Sequence, residues 1–172
     1  MRKRTFVEGQ RSRSPSPAAS PKFTLLAGAE HPVPQRRRGT VHLGRDHRSG
    51  APVIVKEMVV SRGPPPPRHP HVNRVYDRVI DGGACFELRQ LCDKGEFFDL
   101  MIEKPHGFEP GAALRAFVQI AAAVGHCHAH GAVHGQLLPE NVLLRSSAAQ
   151  GQPAAGVTLQ LTGFYTLAPD AA

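Results

Sequence analysis

Cysteine is scarce and badly spaced for cross-linking. Cys85, Cys92 and Cys127 are odd in number and form no CxxC pair, which argues against a disulfide framework and for a reducing compartment. Long hydrophobic runs are missing too: no window approaches the ~18 apolar residues that a membrane span needs. The start, Met-Arg-Lys-Arg, has no apolar run behind it, so no secretory signal is read. Acids are few: 14 Asp and Glu face 21 Lys and Arg, for a net charge of +7. Such a balance suits nucleic acid, anionic membranes or acidic partners. The excess, however, sits in 2–13 and 36–48, which works against one continuous face. No aromatic stacking platform accompanies it, so nucleic acid is not an expected partner. The expected setting is cytoplasmic or nuclear, without a membrane.

What is present is a chain able to fold. Apolar residues make up 41% of 172, enough for a core, while 17 Gly and 16 Pro demand much loop. Residues 1–22, rich in Arg, Ser and Pro, cannot bury enough surface to offset ordering entropy and read as a disordered basic tail. "TVHLG" and "PVIVKEMVV" are β-branched runs joined by the polar turn "RDHRSG", a predicted hairpin. Pro64 to Pro67 bar any helix. "NRVYDRVI" and "ACFELRQL" predict a second strand pair turning at Asp81-Gly82-Gly83. A short helix is predicted over 95–104 and a longer one over 112–130, where Leu114, Phe117, Ile120, Val124 and Cys127 make an apolar stripe capped by Gly131. "NVLL" and "VTLQLT" predict two further short strands. The pattern is α+β, with a strand-rich first half and a helix-led second half. The predicted units are 1–22 as tail, 23–94 as a small β-rich lobe and 95–172 as a partial helical lobe.

Five segments, in order, resemble eukaryotic protein kinases, most closely Ser/Thr kinases of the calmodulin-dependent and AMP-activated type. They are "GTVHLGRDHRSGAPVIVKEM", "HPHVNRVYD", "CFELRQLCDKGEFFDLM", "FVQIAAAVGHCHAHGAVHGQLLPENVLL" and "LQLTGFY". The resemblance implies a two-lobed kinase-like fold and assigns roles to particular residues. Gly39 and Val41 fall at the end of the glycine-rich loop, Lys56 at the phosphate-holding lysine, Glu96 at the ribose-contacting acid and Leu143 at the adenine floor. These are the residual ATP-pocket residues.

The same resemblance shows where the chemistry is lost. Gln136 stands at the aspartate that accepts the substrate proton, and an amide is no base near neutral pH. Leu138 replaces a lysine. Gly163 stands at the magnesium-binding aspartate and Tyr165 at a flexible glycine. Asn141 is retained, yet a lone carboxamide is a poor magnesium site. Pro34 and Arg36 occupy the earlier glycine positions, where proline removes a donor. Four prolines between Lys56 and His69 leave no room for the helix that carries the lysine's partner glutamate. Ile54 narrows the adenine side, and Arg89 sits at a position usually apolar, where it must find a partner or solvent. His126 and His130 are spaced as zinc ligands are, but packing roles are favoured.

The chain stops at Ala172, seven residues after Tyr165, so a truncated domain is expected, with the 112–130 stripe uncovered and offered to a protein partner. The leading expectation is a pseudokinase: a binding or regulatory module whose catalysis is absent or impaired, with weak ATP binding at most and no magnesium. Two alternatives stay open: an active Ser/Thr kinase with an atypical site, and a fragment without independent function.

Overall fold

A computed structural model describes residues 22–26, 41–58, 64–81, 84–146 and 156–164. Residues 1–21 of the expected tail, together with Pro34, Arg36, Gly39, Gly82, Gly83 and Tyr165, lie outside the described residues.

Five antiparallel strands form the first sheet: β1 (Phe23–Leu25), β2 (Val41–Asp46), β3 (Pro52–Met58), β4 (Val75–Asp81) and β5 (Ala84–Gln90), in the order β1-β2-β3-β5-β4. Both predicted hairpins form. The β2–β3 register sets Val41 against Lys56, and the β3–β5 register sets Lys56 against Glu87. β1 was not read from the sequence; three residues carry too little period-2 signal to declare a strand. Its Phe23 is nonetheless fully buried and meets the Phe86 ring at 6.5 Å. The sheet curls until its outer strands approach, and Lys22 Nζ reaches Asp77 Oδ2 at 2.8 Å.

Strand alternation sorts the two faces of this sheet. Val53, Val55, Phe86 and Leu88 point one way and, with Phe23, make the first core. Ile54, Lys56, Glu87 and Arg89 point the other way, toward the site described below.

The second half carries α1 (Phe97–Ile102), α2 (Pro110–Ala129), a 3-10 turn at Pro139–Asn141 and the hairpin β6 (Val142–Ser146) with β7 (Val157–Leu161). α1 is shorter than the 95–104 expected. α2 starts earlier than 112 because Pro110 takes the first helical position, where its missing amide costs nothing. It ends as expected at Gly131, whose φ of +71° permits the return bonds Gly131 N–H to His128 O and Ala132 N–H to Cys127 O. None of the helices among the described residues is long and apolar enough to cross a membrane.

The expected stripe on α2 needs correction. Ile120, Val124 and Cys127 do pack inward, joined by Ala116 and Ala123. Leu114 and Phe117 face solvent instead, at 62% and 66% exposure, with Val118 beside them at 55%. The small alanines, not the larger residues, let α2 approach the β6–β7 hairpin. Both hairpin strands present alternate residues to it: Val142 and Leu144, Leu159 and Leu161.

Val72 ties the two halves. It precedes β4 yet is buried in the second core, bridging Leu161 in parallel pairing. Asn73 N–H donates to Leu161 O at 2.8 Å, and the Asn73 side chain donates to Gln90 O, Gln160 Oε1 and Cys92 Sγ.

Candidate active site

The site lies where the polar face of the first sheet meets the segments around β6 and β7. Its centre is a carboxylate that the sequence did not single out. Glu87 is fully buried on β5. Arg78 Nε donates to its Oε1 at 2.8 Å, and Arg89 grips Oε2 through both Nε (2.7 Å) and Nη2. Burial by itself raises a carboxyl; here the Arg89 and Arg78 cations outweigh it, and Glu87 titrates below its ordinary range. The signal for this group was present in the pattern of β5. Glu87 and Arg89 alternate with Phe86 and Leu88, so both leave the core face together.

Lys56 stands across from Glu87 but does not pair with it. Arg89 and Arg78 already occupy the carboxylate. Burial, then the nearby Arg89 charge, pull the Lys56 pKa below its ordinary value, and Glu87 only partly opposes them. Thus a buried carboxylate does sit near Lys56, on β5 rather than on a helix, and two arginines have claimed it. No helix forms among the described residues between β3 and β4.

Arg89 also carries the network onward. Its Nη1 donates to Thr162 Oγ1 at 2.8 Å, so a charged position resolves its burial through Glu87 and Thr162. Thr162 N–H donates to Asn141 O, and Thr162 O accepts from His134 Nε2 at 2.8 Å. His134 is buried against the Phe164 ring, and its Nδ1 accepts the Gln136 amide. These partners fix the neutral tautomer with the proton on Nε2, and burial lowers its pKa.

Gln136, Asn141 and Gly163 come together. Asn141 Nδ2 donates to Gln136 O at 2.8 Å, which commits the carboxamide to holding the loop. Its Oδ1 points at Gly163. A Cβ built on Gly163 would lie 2.6 Å from that oxygen and 2.8 Å from Asn141 Cγ. Gly163 also has a φ of +79°, a region side chains disfavour. The Asn141 side chain therefore fills the space an acidic side chain at 163 would use. Gln136, Asn141 and Gly163 supply no carboxylate, and the Asn141 carboxamide beside Gly163 is already hydrogen-bonded, so these residues are a poor fit for a magnesium ion.

The segments that carry Glu96 and Leu143 are held together. Glu96 is buried and bridges Leu143 in antiparallel pairing, while Leu144 N–H donates to Gly95 O and Lys94 N–H to Leu144 O. Those bonds lay β6 against residues 94–96. Val41 is half-buried opposite Lys56. Gly39 lies outside the described residues. The His126 and His130 rings stand 4.2 Å apart, and no group of three or more His, Cys, Asp or Glu among the described residues is arranged to hold a metal.

Comparison with known proteins matches this arrangement to a family. A family model described as protein tyrosine and serine/threonine kinase matches residues 65–153. A carbon catabolite-derepressing protein kinase of Secale cereale is 38% identical over 78 residues, which is 45% of this chain and 15% of that protein. Serine/threonine protein kinase OSK3 of Oryza sativa subsp. indica is 37% identical over the same length. Calcium-dependent protein kinase 20 of Oryza sativa subsp. japonica is 38% identical over 79 residues, 14% of its length. The matched segment is thus a small part of each relative.

Proposed function

From the premise that this chain belongs to the protein tyrosine and serine/threonine kinase family, we propose that it serves as a pseudokinase module, a binding or regulatory protein that does not transfer phosphate. The observation that carries this reading is the closure of the Gly163 position by Asn141. Phosphoryl transfer relies on a metal to offset the charge of the transferring group and on an acid to take the hydroxyl proton. Gln136 supplies no base, and the metal position is filled by a side chain of the protein itself. The carboxylate opposite Lys56, that of Glu87, is taken by Arg78 and Arg89, so the remaining phosphate contact lacks its usual orientation.

The adenine side supports weak nucleotide binding at most. Glu96 and Leu143 are held by β6, and Val41 lies over the same strand face as Lys56. Binding there would rest on apolar burial and a ribose contact, with no metal. The exposed Leu114, Phe117 and Val118 on α2 support a role in contacting protein, since large apolar groups clustered on one helix face are costly to leave in water.

The test has two arms on the purified chain. Melting is followed with ATP alone, with magnesium alone and with both, because a ligand of the folded state raises Tm by mass action. Transfer of radiolabelled phosphate to itself and to a general substrate protein is measured alongside. The expected result is no magnesium-dependent rise in Tm and no transfer. Magnesium-dependent stabilisation by ATP together with turnover abolished by Lys56→Met would refute the reading.

A further inference from the structure

A second pocket, of about 340 Å³, opens where the segment before β4 meets β5, β6 and β7. Its walls include Arg68, His69, Arg74, Gln90, Arg145 and Gln160. None of these belongs to the nucleotide side made by Val41, Lys56, Glu96 and Leu143. Three arginines thus line one pocket from two distant parts of the sequence, the Arg74 guanidinium lying 5.1 Å over the Tyr76 ring.

Their charge is not neutralised. Among the described residues the ion pairs are Lys22 with Asp77, Arg78 with Glu87 and Arg89 with Glu87; Arg68, Arg74 and Arg145 enter none. The flanking sequence supplies no acid either: 58–76 and 141–169 contain no Asp or Glu. Arg145 adds an independent sign. Its Nε is sealed from solvent and has no hydrogen-bond partner among the described residues. A buried N–H without an acceptor is a standing cost, so the Arg145 side chain is held here against its own preference.

The rest of the pocket is built to stay in place. Gln160 is buried, with Oε1 accepting from Asn73 Nδ2 and Cys92 Sγ, and Nε2 donating to Pro70 O and Gln90 Oε1. His69 Nδ1 accepts the His71 amide at 3.2 Å, which leaves Nε2 as the donor of the neutral ring.

We propose that this pocket binds a phosphate group, free or carried as a phosphomonoester, through Arg68, Arg74 and Arg145. Guanidinium groups meet such oxyanions with paired, charge-assisted N–H bonds. Three of them, with no carboxylate among the lining residues, more than offset the charge of a phosphate dianion.

The test uses the full chain at about 0.15 M ionic strength, titrated with inorganic phosphate and with phosphoserine amide against chloride of matched ionic strength. Saturable binding of phosphate is expected, and Arg68→Gln and Arg74→Gln, both at exposed positions, each weaken it by about tenfold. Arg145→Gln removes it, and the other two variants decide the matter if that one fails to fold. Arg45→Gln, on β2 and outside the pocket, binds as the wild type does. Equal affinity for the two probes identifies the phosphate group alone as the ligand; tighter phosphoserine binding identifies a phosphorylated residue. Absence of saturable binding of either probe, or binding that Arg68→Gln and Arg74→Gln leave within about twofold, overturns the proposal. Because no residue is shared, this result is independent of the nucleotide test.

Discussion

Replacing Gly163 with alanine tests whether the metal position is closed, and the cost can be worked from the geometry. Two penalties arise. A φ of +79° costs an L-residue about 1 kcal/mol relative to glycine. The new Cβ also falls 2.6 Å from Asn141 Oδ1, so the carboxamide must swing away. It is the flexible end of a side chain and can move, but movement breaks its bond to Gln136 O, worth about 1 kcal/mol. The sum is about 2 kcal/mol, which in a chain of this size lowers Tm by about 4–8 °C. The two penalties are separable. In an Asn141→Ala background the collision is gone and Gly163→Ala costs only the backbone share, about 1 kcal/mol. A coupling of about 1 kcal/mol between the two positions is therefore expected in a double-mutant cycle read by urea unfolding. If Gly163→Ala costs the same with and without Asn141, the carboxamide does not close the position. Asn141 would then give no reason for Gly163 to lack a metal.

Three further outcomes follow from the charged network. Lys56→Met raises Tm, because the folded state holds Lys56 in a place that disfavours its cation; a fall of several degrees would mean the ammonium has a stabilising partner. Arg89→Met lowers stability by about 3 kcal/mol, since it strips the buried Glu87 of its closest cation and unties Thr162; chemical denaturation measures this, and a loss under about 1 kcal/mol would contradict it. Stability falls as pH drops below about 6.5, the ordinary imidazole value, because the unfolded chain takes up a proton that folded His134 resists. His69, depressed by burial and by His126 and His71, acts in the same window. The slope between pH 7.5 and 5.5 should therefore shrink, not vanish, in His134→Gln.

Much of the architecture was legible in one dimension. The hairpins at 41–58 and 75–90 showed as β-branched runs around polar or glycine turns, and α2 as a helical repeat ended by Gly131. That Gln136 and Gly163 carry no acid was equally plain, because a residue type is a property of sequence alone. The α2 stripe was half misread. Leu114 and Phe117 have the right chemistry and near-right spacing, but helix rotation is set by how closely the β6–β7 hairpin can approach, and Ala116 and Ala123 allow the tighter fit.

Composition and motif order thus settled most of the elements, β1 excepted, and which family they belong to. They did not settle who pairs with whom. Glu87 chose Arg78 and Arg89 over Lys56, Asn141 moved into the space beside Gly163, and Arg68, Arg74 and Arg145 met without an acid between them. Charges attract, and side chains exclude one another, over a few ångströms of space. Distances of that kind between residues up to 77 positions apart exist only once the sheet has curled and Val72 has joined β7.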